Sequence, residues 1–272
     1  MKRELLSSLA GVLFFGIGVA AIAPLAAQPG VRTAKPVTAS CNRAAFRAVV
    51  DVGHTAQQPG ATSARGVPEY DFNLWLARRI EARLKGAGFE NTVLLVTAGE
   101  ARKALAERVA RANALRADLF VSVHHDSVPD FLLASWDFLG AEGRYSDHYR
   151  GHSIFVSADH PQYGRSLAFA RLLGRAMKAR GLEYTRHYTE KGMGARQRML
   201  VDAEAGVYRF DRLIVLMQTK MPAVLLEAGS IIHREEELVL QSPERQALIA
   251  DAVVEAVEGF CASRGRSRLP RS

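Results

Sequence analysis

The stretch DLFVSVHHDS, residues 118–127, sets the problem. Its first half, Leu119 to Val123, is a short apolar run of the kind that forms a buried strand. Its second half places His124, His125 and Asp126 at the strand's end. Two other stretches repeat this arrangement. FRAVVDVG (46–53) ends in His54, and AVLLEAG (223–229) carries Glu227 after four apolar or small residues. TVLLV (92–96), HSIFVS (152–157) and LIVLMQ (213–218) read as three further strands. Between them, helical periodicity predicts helices over 70–84, 100–115, 166–179 and 243–260. GAG (86–88) stops the first of these, and Pro243 suits the first turn of the last. Strands alternating with helices predict a three-layer α/β domain, a mostly parallel twisted central sheet of about six strands flanked by helices. The close spacing of 213–218 and 223–229, around TKMP, permits one antiparallel pair. In open α/β sheets, sites form outside the carboxyl ends of the strands. His54, His124 and Glu227 are therefore candidates for one site.

The chain has 272 residues, 48% of them hydrophobic, enough for one sizeable core. Its formal charge of +8 is spread along the chain, with no basic run interleaved with aromatics. That excludes nucleic acid as the expected partner and suits an anionic polymer or membrane face. Lys2 and Arg3 precede an apolar stretch, Leu9–Ala23, and then small residues around Ala26 and Ala27. This order predicts a secretory signal over 1–27, with an uncleaved N-terminal anchor as the alternative. The expected localisation is outside the cytoplasm: periplasmic, or anchored to the inner membrane facing the periplasm, or secreted. Residues 28–40 read as a linker, 41–262 as the catalytic domain and 263–272 as a basic tail. In an oxidising compartment the only two cysteines, Cys41 and Cys261, are candidates for one disulfide between the domain's ends; two unrelated thiols are the alternative.

A fourth polar candidate is Glu69, which follows GVP and opens the first helix. A carboxylate there also suits the helix dipole, so alone it proves nothing. His54 and His124 singly could be strand-end histidines bonded to backbone. Glu227 is harder to dismiss, because a carboxylate within MPAVLLEAG is at least partly buried and needs a partner or a raised pKa. Two imidazoles and a carboxylate are the ligand set of one class of catalytic zinc site, whose fourth position is left for water. A further carboxylate outside that set can move the water's proton to a leaving amine. No HExxH string occurs, so such ligands must come from separate strand ends.

VVDVGHTAQQPGA, PEYDFNLWLARRIEARLKGAGF, ADLFVSVHHDS and MPAVLLEAGSI occur in that order. Together they resemble the zinc-dependent N-acetylmuramoyl-L-alanine amidases that remodel bacterial cell walls, over most of residues 46–260. The resemblance implies one zinc ion per chain on His54, Glu69 and His124, with Glu227 as the catalytic acid/base. It also implies peptidoglycan as substrate, cut between N-acetylmuramic acid and the first L-alanine of the stem peptide. The alternatives are a zinc peptidase acting on stem peptides and a catalytically silent wall-binding module.

His125 and Asp126 stand where the family more often has a small residue and Asn or Asp; both are candidates for substrate contact, with His125 expected at the rim or behind the ligands rather than on the metal. Residues 127–150 are longer than the family's usual connection and carry Phe131, Leu132, Leu133, Trp136, Phe138 and Leu139. They are expected to form a flap that shapes the groove or docks an activating protein, or else an extra piece packed on the core. The basic segment 184–198 includes Arg196, a candidate for binding stem-peptide carboxylates, or is an ordinary solvated loop.

Overall fold

The computed structural model describes residues 41–266. The expected signal, the linker and the end of the basic tail lie outside them. In chain order the strands are β1 (Ala48–Val52), β2 (Val93–Leu95), β3 (Leu119–Asp126), β4 (Ala134–Phe138), β5 (Ala141–Tyr145), β6 (Ser153–Val156), β7 (Met199–Asp202), β8 (Val207–Arg209) and β9 (Ala223–Ser230). The helices are α1 (Glu69–Gly86), α2 (Ala101–Ala114), α3 (Tyr163–Lys178), α4 (Ile214–Gln218), α5 (Arg234–Gln241) and α6 (Pro243–Arg266).

A seven-stranded sheet in the order β2-β1-β3-β9-β6-β8-β7 forms the middle layer. Its pairs are parallel except β6 with β9 and β7 with β8. Alternation along the strands divides the core into two. Val50 and Val52 of β1, Val121 and Val123 of β3, and Val224 and Leu226 of β9 face α1, α3 and α6. Val49, Phe120 and Leu225 face the other way, with Val109 and Ala112 of α2 and Val215 and Leu216 of α4. Cys41 is bonded to Cys261, which ties the start of the described chain to α6.

Four expectations need correcting. LIVLMQ is not a strand: Ile214–Gln218 is a short helix that buries Val215 and Leu216. A six-residue apolar run satisfies a strand and a helical turn equally well, so periodicity could not decide it. The sheet instead gains β7 and β8, from sequence without a continuous apolar run, and so has seven strands. The antiparallel neighbour of β9 is accordingly β6. The last helix does not stop at Phe260 but continues to Arg266, and Arg264 makes an ion pair with Asp118.

The 127–150 connection folds as an antiparallel hairpin, β4–β5, apart from the main sheet. Trp136 Nε1 donates to the carbonyl of Ala64 at 2.9 Å. The guanidinium groups of Arg65 and Arg234 lie 5.3 and 5.1 Å from the Trp136 ring. Arg65 is itself bonded to the buried carboxylate of Glu237 at 3.0 Å. The hairpin is thus pinned at its middle, while Phe131 and Leu139 are 74% and 90% exposed.

Candidate active site

Each side chain of the site arrives from a different element. Gly53 follows β1, and its N–H is bonded to Val123 O at 2.9 Å, which sets the end of β1 against β3. His54 comes next, with a positive φ of 65° that turns its side chain out of the strand line. Glu69 is the first residue of α1. His124 lies near the end of β3, and Glu227 is its register partner on β9, so both point to the same face of the sheet. Two glycines make room. A Cβ on Gly53 would sit 2.5 Å from His124 Cδ2, and one on Gly60, where φ is +83°, would sit 2.6 Å from His54 Cδ2.

His54 Nε2 lies 3.0 Å from Glu69 Oε2, and His124 Nδ1 lies 3.0 Å from Glu69 Oε1. One donor atom from each of the three lies within 4.8 Å of the others. Glu69 is also held from behind. Asn73 Nδ2 donates to Oε1 at 3.1 Å, and the Ala61 N–H donates to Oε2 at 3.1 Å. Burial alone would raise the Glu69 carboxyl, but the bonds from His124 and His54 override it and hold it well below the usual range. Burial lowers His124 despite Glu69. This donor set, two nitrogens and an anionic oxygen converging on one point, fits zinc.

Glu227 is half-buried beside this group, and its Oε2 is buried and accepts no hydrogen bond from the protein. Burial, then the charges of Asp126 and Glu69, push its carboxyl well above the usual range, with Arg196 opposing. A cavity of about 420 Å³ opens over His54, His124 and Glu227. Its far walls are mostly apolar, with Leu105 from α2 and Leu213 and Ile214 leading into α4.

Asp126 is buried. Its Oδ1 accepts from Tyr188 Oη at 2.7 Å and from Arg196 Nη2 at 3.3 Å, and its Oδ2 lies 3.2 Å from His187 Nε2. Asp126 and Arg196 are thus one ion-paired unit on the Glu227 side, with Arg196 the partly exposed member. Of the two places expected for His125, it takes the one behind the ligands and not the rim. Alternation sends it to the opposite face of β3, where it is 3% exposed. There its Nδ1 is 2.8 Å from Asn73 Oδ1 and its ring packs against Phe72. Its role is to fix Asn73, which in turn holds Glu69. Burial lowers it to about 3, so it stays neutral.

The sequence reading missed a second ring of support. Asp51 of β1, fully buried, accepts from Ser122 Oγ at 2.7 Å and lies 3.2 Å from Arg108 Nε of α2. Arg108 also donates through Nη2 to the carbonyl of His54. The signals were present: a carboxylate inside AVVDV, and an arginine on the buried stripe Ala104–Arg108–Ala112.

Residues 48–259 match the family model described as N-acetylmuramoyl-L-alanine amidase, amidase type 3. The chain belongs to the N-acetylmuramoyl-L-alanine amidase family. It is 26% identical over 215 residues to the N-acetylmuramoyl-L-alanine amidase Rv3717 of Mycobacterium tuberculosis, covering 78% of this chain and 76% of that one. Among solved structures, the amidase Ami1 of Mycobacterium smegmatis superposes with a TM-score of 0.61 at 22% identity, covering 82% of this chain and 99% of that one. The catalytic domain of the amidase CwlV from Bacillus (Paenibacillus) polymyxa var. colistinus gives 0.57 at 25% identity, covering 79% and 97%. The CwlD amidase of Clostridioides difficile, solved in complex with the GerS lipoprotein, gives 0.55 at 17%, covering 79% and 98%. These likenesses agree with the mostly parallel α/β layers found here. This amidase-family chain is a hydrolase of the peptidoglycan-directed class.

Proposed function

We propose that the chain hydrolyses the amide between the lactyl group of N-acetylmuramic acid and the L-alanine of the stem peptide, with one zinc ion held by His54, Glu69 and His124. The observation that carries this is the convergence of those three side chains beside Glu227, whose Oε2 is buried without a hydrogen-bond partner. Zinc in such a site polarises the scissile carbonyl and lowers the pKa of water toward about 7. The protein supplies the rest. Glu69 is fixed by Asn73 and Ala61, so the ligand set needs little rearrangement to close on a cation. Glu227 accepts the proton of the attacking water and then donates it to the departing alanine nitrogen, which would otherwise leave as an unstable amide anion. Its raised pKa suits it to hold that proton between the two events. Arg196, tethered by Asp126, offers its free guanidinium edge to carboxylates of the stem peptide.

On this reading the chain works outside the cytoplasm, as its substrate requires, delivered by the expected N-terminal signal. Among the described residues no helix is long and apolar enough to cross a membrane. The exposed Phe131 and Leu139 suit the β4–β5 hairpin to docking an activating protein, and the CwlD–GerS complex is a precedent for an amidase with a protein partner.

Digestion of purified sacculi tests the activity. New stem peptides with free L-alanine N-termini should appear with the zinc-loaded protein and disappear with His54→Ala, which should also lose zinc. Release of cross-link fragments alone would replace the amidase with a peptidase. Zinc binding without any release would leave a silent wall-binding module.

A further inference from the structure

The supports of Glu69 are obvious from its bonds, but those of His54 are not. Among the described residues His54 is one of three non-glycine positions with positive φ, the others being Arg116 and Leu139. Neither of those belongs to the site. A non-glycine residue in that region is strained, and the strain persists only when the surroundings hold it. What holds it comes from α2. Arg108, 3% exposed, reaches under the strand ends and donates from Nη2 to the His54 carbonyl. Its Nε edge faces Asp51 at 3.2 Å, and Asp51 is braced in turn by Ser122 on β3. A buried guanidinium with one edge on a carboxylate and another on a strained carbonyl links β1, β3 and α2 at the residue that must present an imidazole.

We infer that Arg108 is a positioning residue for the metal centre, gripping the His54 carbonyl so that the left-handed turn aims the imidazole at Glu69. This rests on the metal-site reading above. Arg108 lines the cavity, but there it is bonded to the His54 carbonyl through Nη2 and ion-paired with Asp51, so it acts through His54 rather than on substrate. Asp51 is what makes the grip tolerable. It neutralises a charge that burial would otherwise forbid. Lysine in place of Arg108 could neutralise Asp51 but could not span both partners, because it has one ammonium rather than a fork.

The test uses the full chain as wild type, Arg108→Lys and the double variant Asp51→Asn/Arg108→Met. Zinc affinity is measured by competition with a chromogenic chelator, the cobalt(II)-substituted visible spectrum is recorded, and the metal-free protein is melted. Arg108→Lys should melt as a folded domain yet bind zinc about 10- to 100-fold more weakly, the usual cost of losing a group behind a ligand. Its cobalt spectrum should change. The double variant leaves no buried charge unpaired, so it should fold and show the same loss. Wild-type zinc affinity and an unchanged cobalt spectrum in Arg108→Lys would overturn the inference, leaving Arg108 as a counter-charge for Asp51. Loss of fold in both variants would overturn it too, by making Arg108 a fold residue. If the wild type binds zinc but releases no alanine-terminated peptide, the amidase reading falls and the Arg108 inference is still decided by the affinities.

Discussion

Replacing Glu227 by glutamine separates what this carboxylate does for chemistry from what it costs the fold. The amide has nearly the same shape, so packing around β9 is kept. Turnover on sacculi should fall by about 10²- to 10⁴-fold, the usual cost of removing a general acid/base. Stability should move the other way. Glu227 Oε2 is buried without a bond, near Asp126 and Glu69. An unmet buried polar group costs about 1–3 kcal/mol when neutral, which glutamine keeps, and more when charged, which glutamine escapes. At about 2–4 °C per kcal/mol for a domain of this size, the variant should melt several degrees higher in metal-free protein. The pH dependence fixes the cause. The folded pKa of Glu227 is raised above its ordinary 4.5, so its contribution to stability is fully present below about pH 4.5 and is lost as pH rises through the folded value. The difference in melting temperature, Gln minus Glu, should therefore be small near pH 4.5 and widen toward pH 8. Calorimetry in the presence of a chelator, with sacculus turnover measured on the zinc-loaded forms, reads both. A gap that stays constant with pH, or turnover close to wild type, would refute the assignment of Glu227 as a buried proton carrier.

Other perturbations test other parts of the molecule. Gly53→Ala should expel the His124 ring, since the new Cβ would stand 2.5 Å from its Cδ2; bound zinc, measured by atomic emission, and activity should drop together. Cys41→Ser/Cys261→Ser opens a link across 220 residues and should cost about 2–5 kcal/mol, read as a lower melting temperature that reductant no longer affects. Burial lowers His152 to about 4 from its ordinary 6.5, so the stability it contributes is present above pH 6.5 and lost as pH falls toward 4. At about 1.4 kcal/mol per unit this is about 3 kcal/mol, and His152→Gln should flatten that part of the pH–stability curve in chemical denaturation. Trp136→Ala removes the bond to Ala64 and the ring between Arg65 and Arg234, so limited proteolysis should cut within 131–146 before anything else.

How much of this was legible beforehand follows from the length scale of each signal. β1, β3 and β9 open as apolar runs with polar residues toward or just past their carboxyl ends, and that pattern pointed to His54, His124 and Glu227 as candidates. β7 and β8 carry no such run: Met199 is exposed, and their pairing is supplied by neighbours on the sheet. Ile214–Gln218 is too short for period to speak, and only its packing against α2 makes it a helix. The hairpin's fastening depends on Arg65 and Arg234, residues far from it in sequence whose stacking on Trp136 no local pattern announces.

The choice between the two places open to His125, the rim or behind the ligands, is the most instructive, because the information that decides it is in the opening stretch itself. Once LFVSVHHD is taken as a strand, successive side chains must point to opposite faces. If His124 looks into the cleft with Ser122, then His125 shares a face with Val123 and Val121 and must meet α1. A polar group so placed needs a partner, and α1 provides Asn73, one turn beyond Glu69. The two adjacent imidazoles thus serve one carboxylate from two directions: His124 lies against it in the site, and His125 fixes the amide that holds it. The same parity rule applied to AVVDV puts Asp51 with Val49 on the α2 side, where its buried charge calls for a cation. Arg108 meets that demand, and its second contact ties the demand to His54. Polar residues on strand faces that sequence alone treats as defects are, in this fold, the second layer behind the side chains proposed to hold the metal.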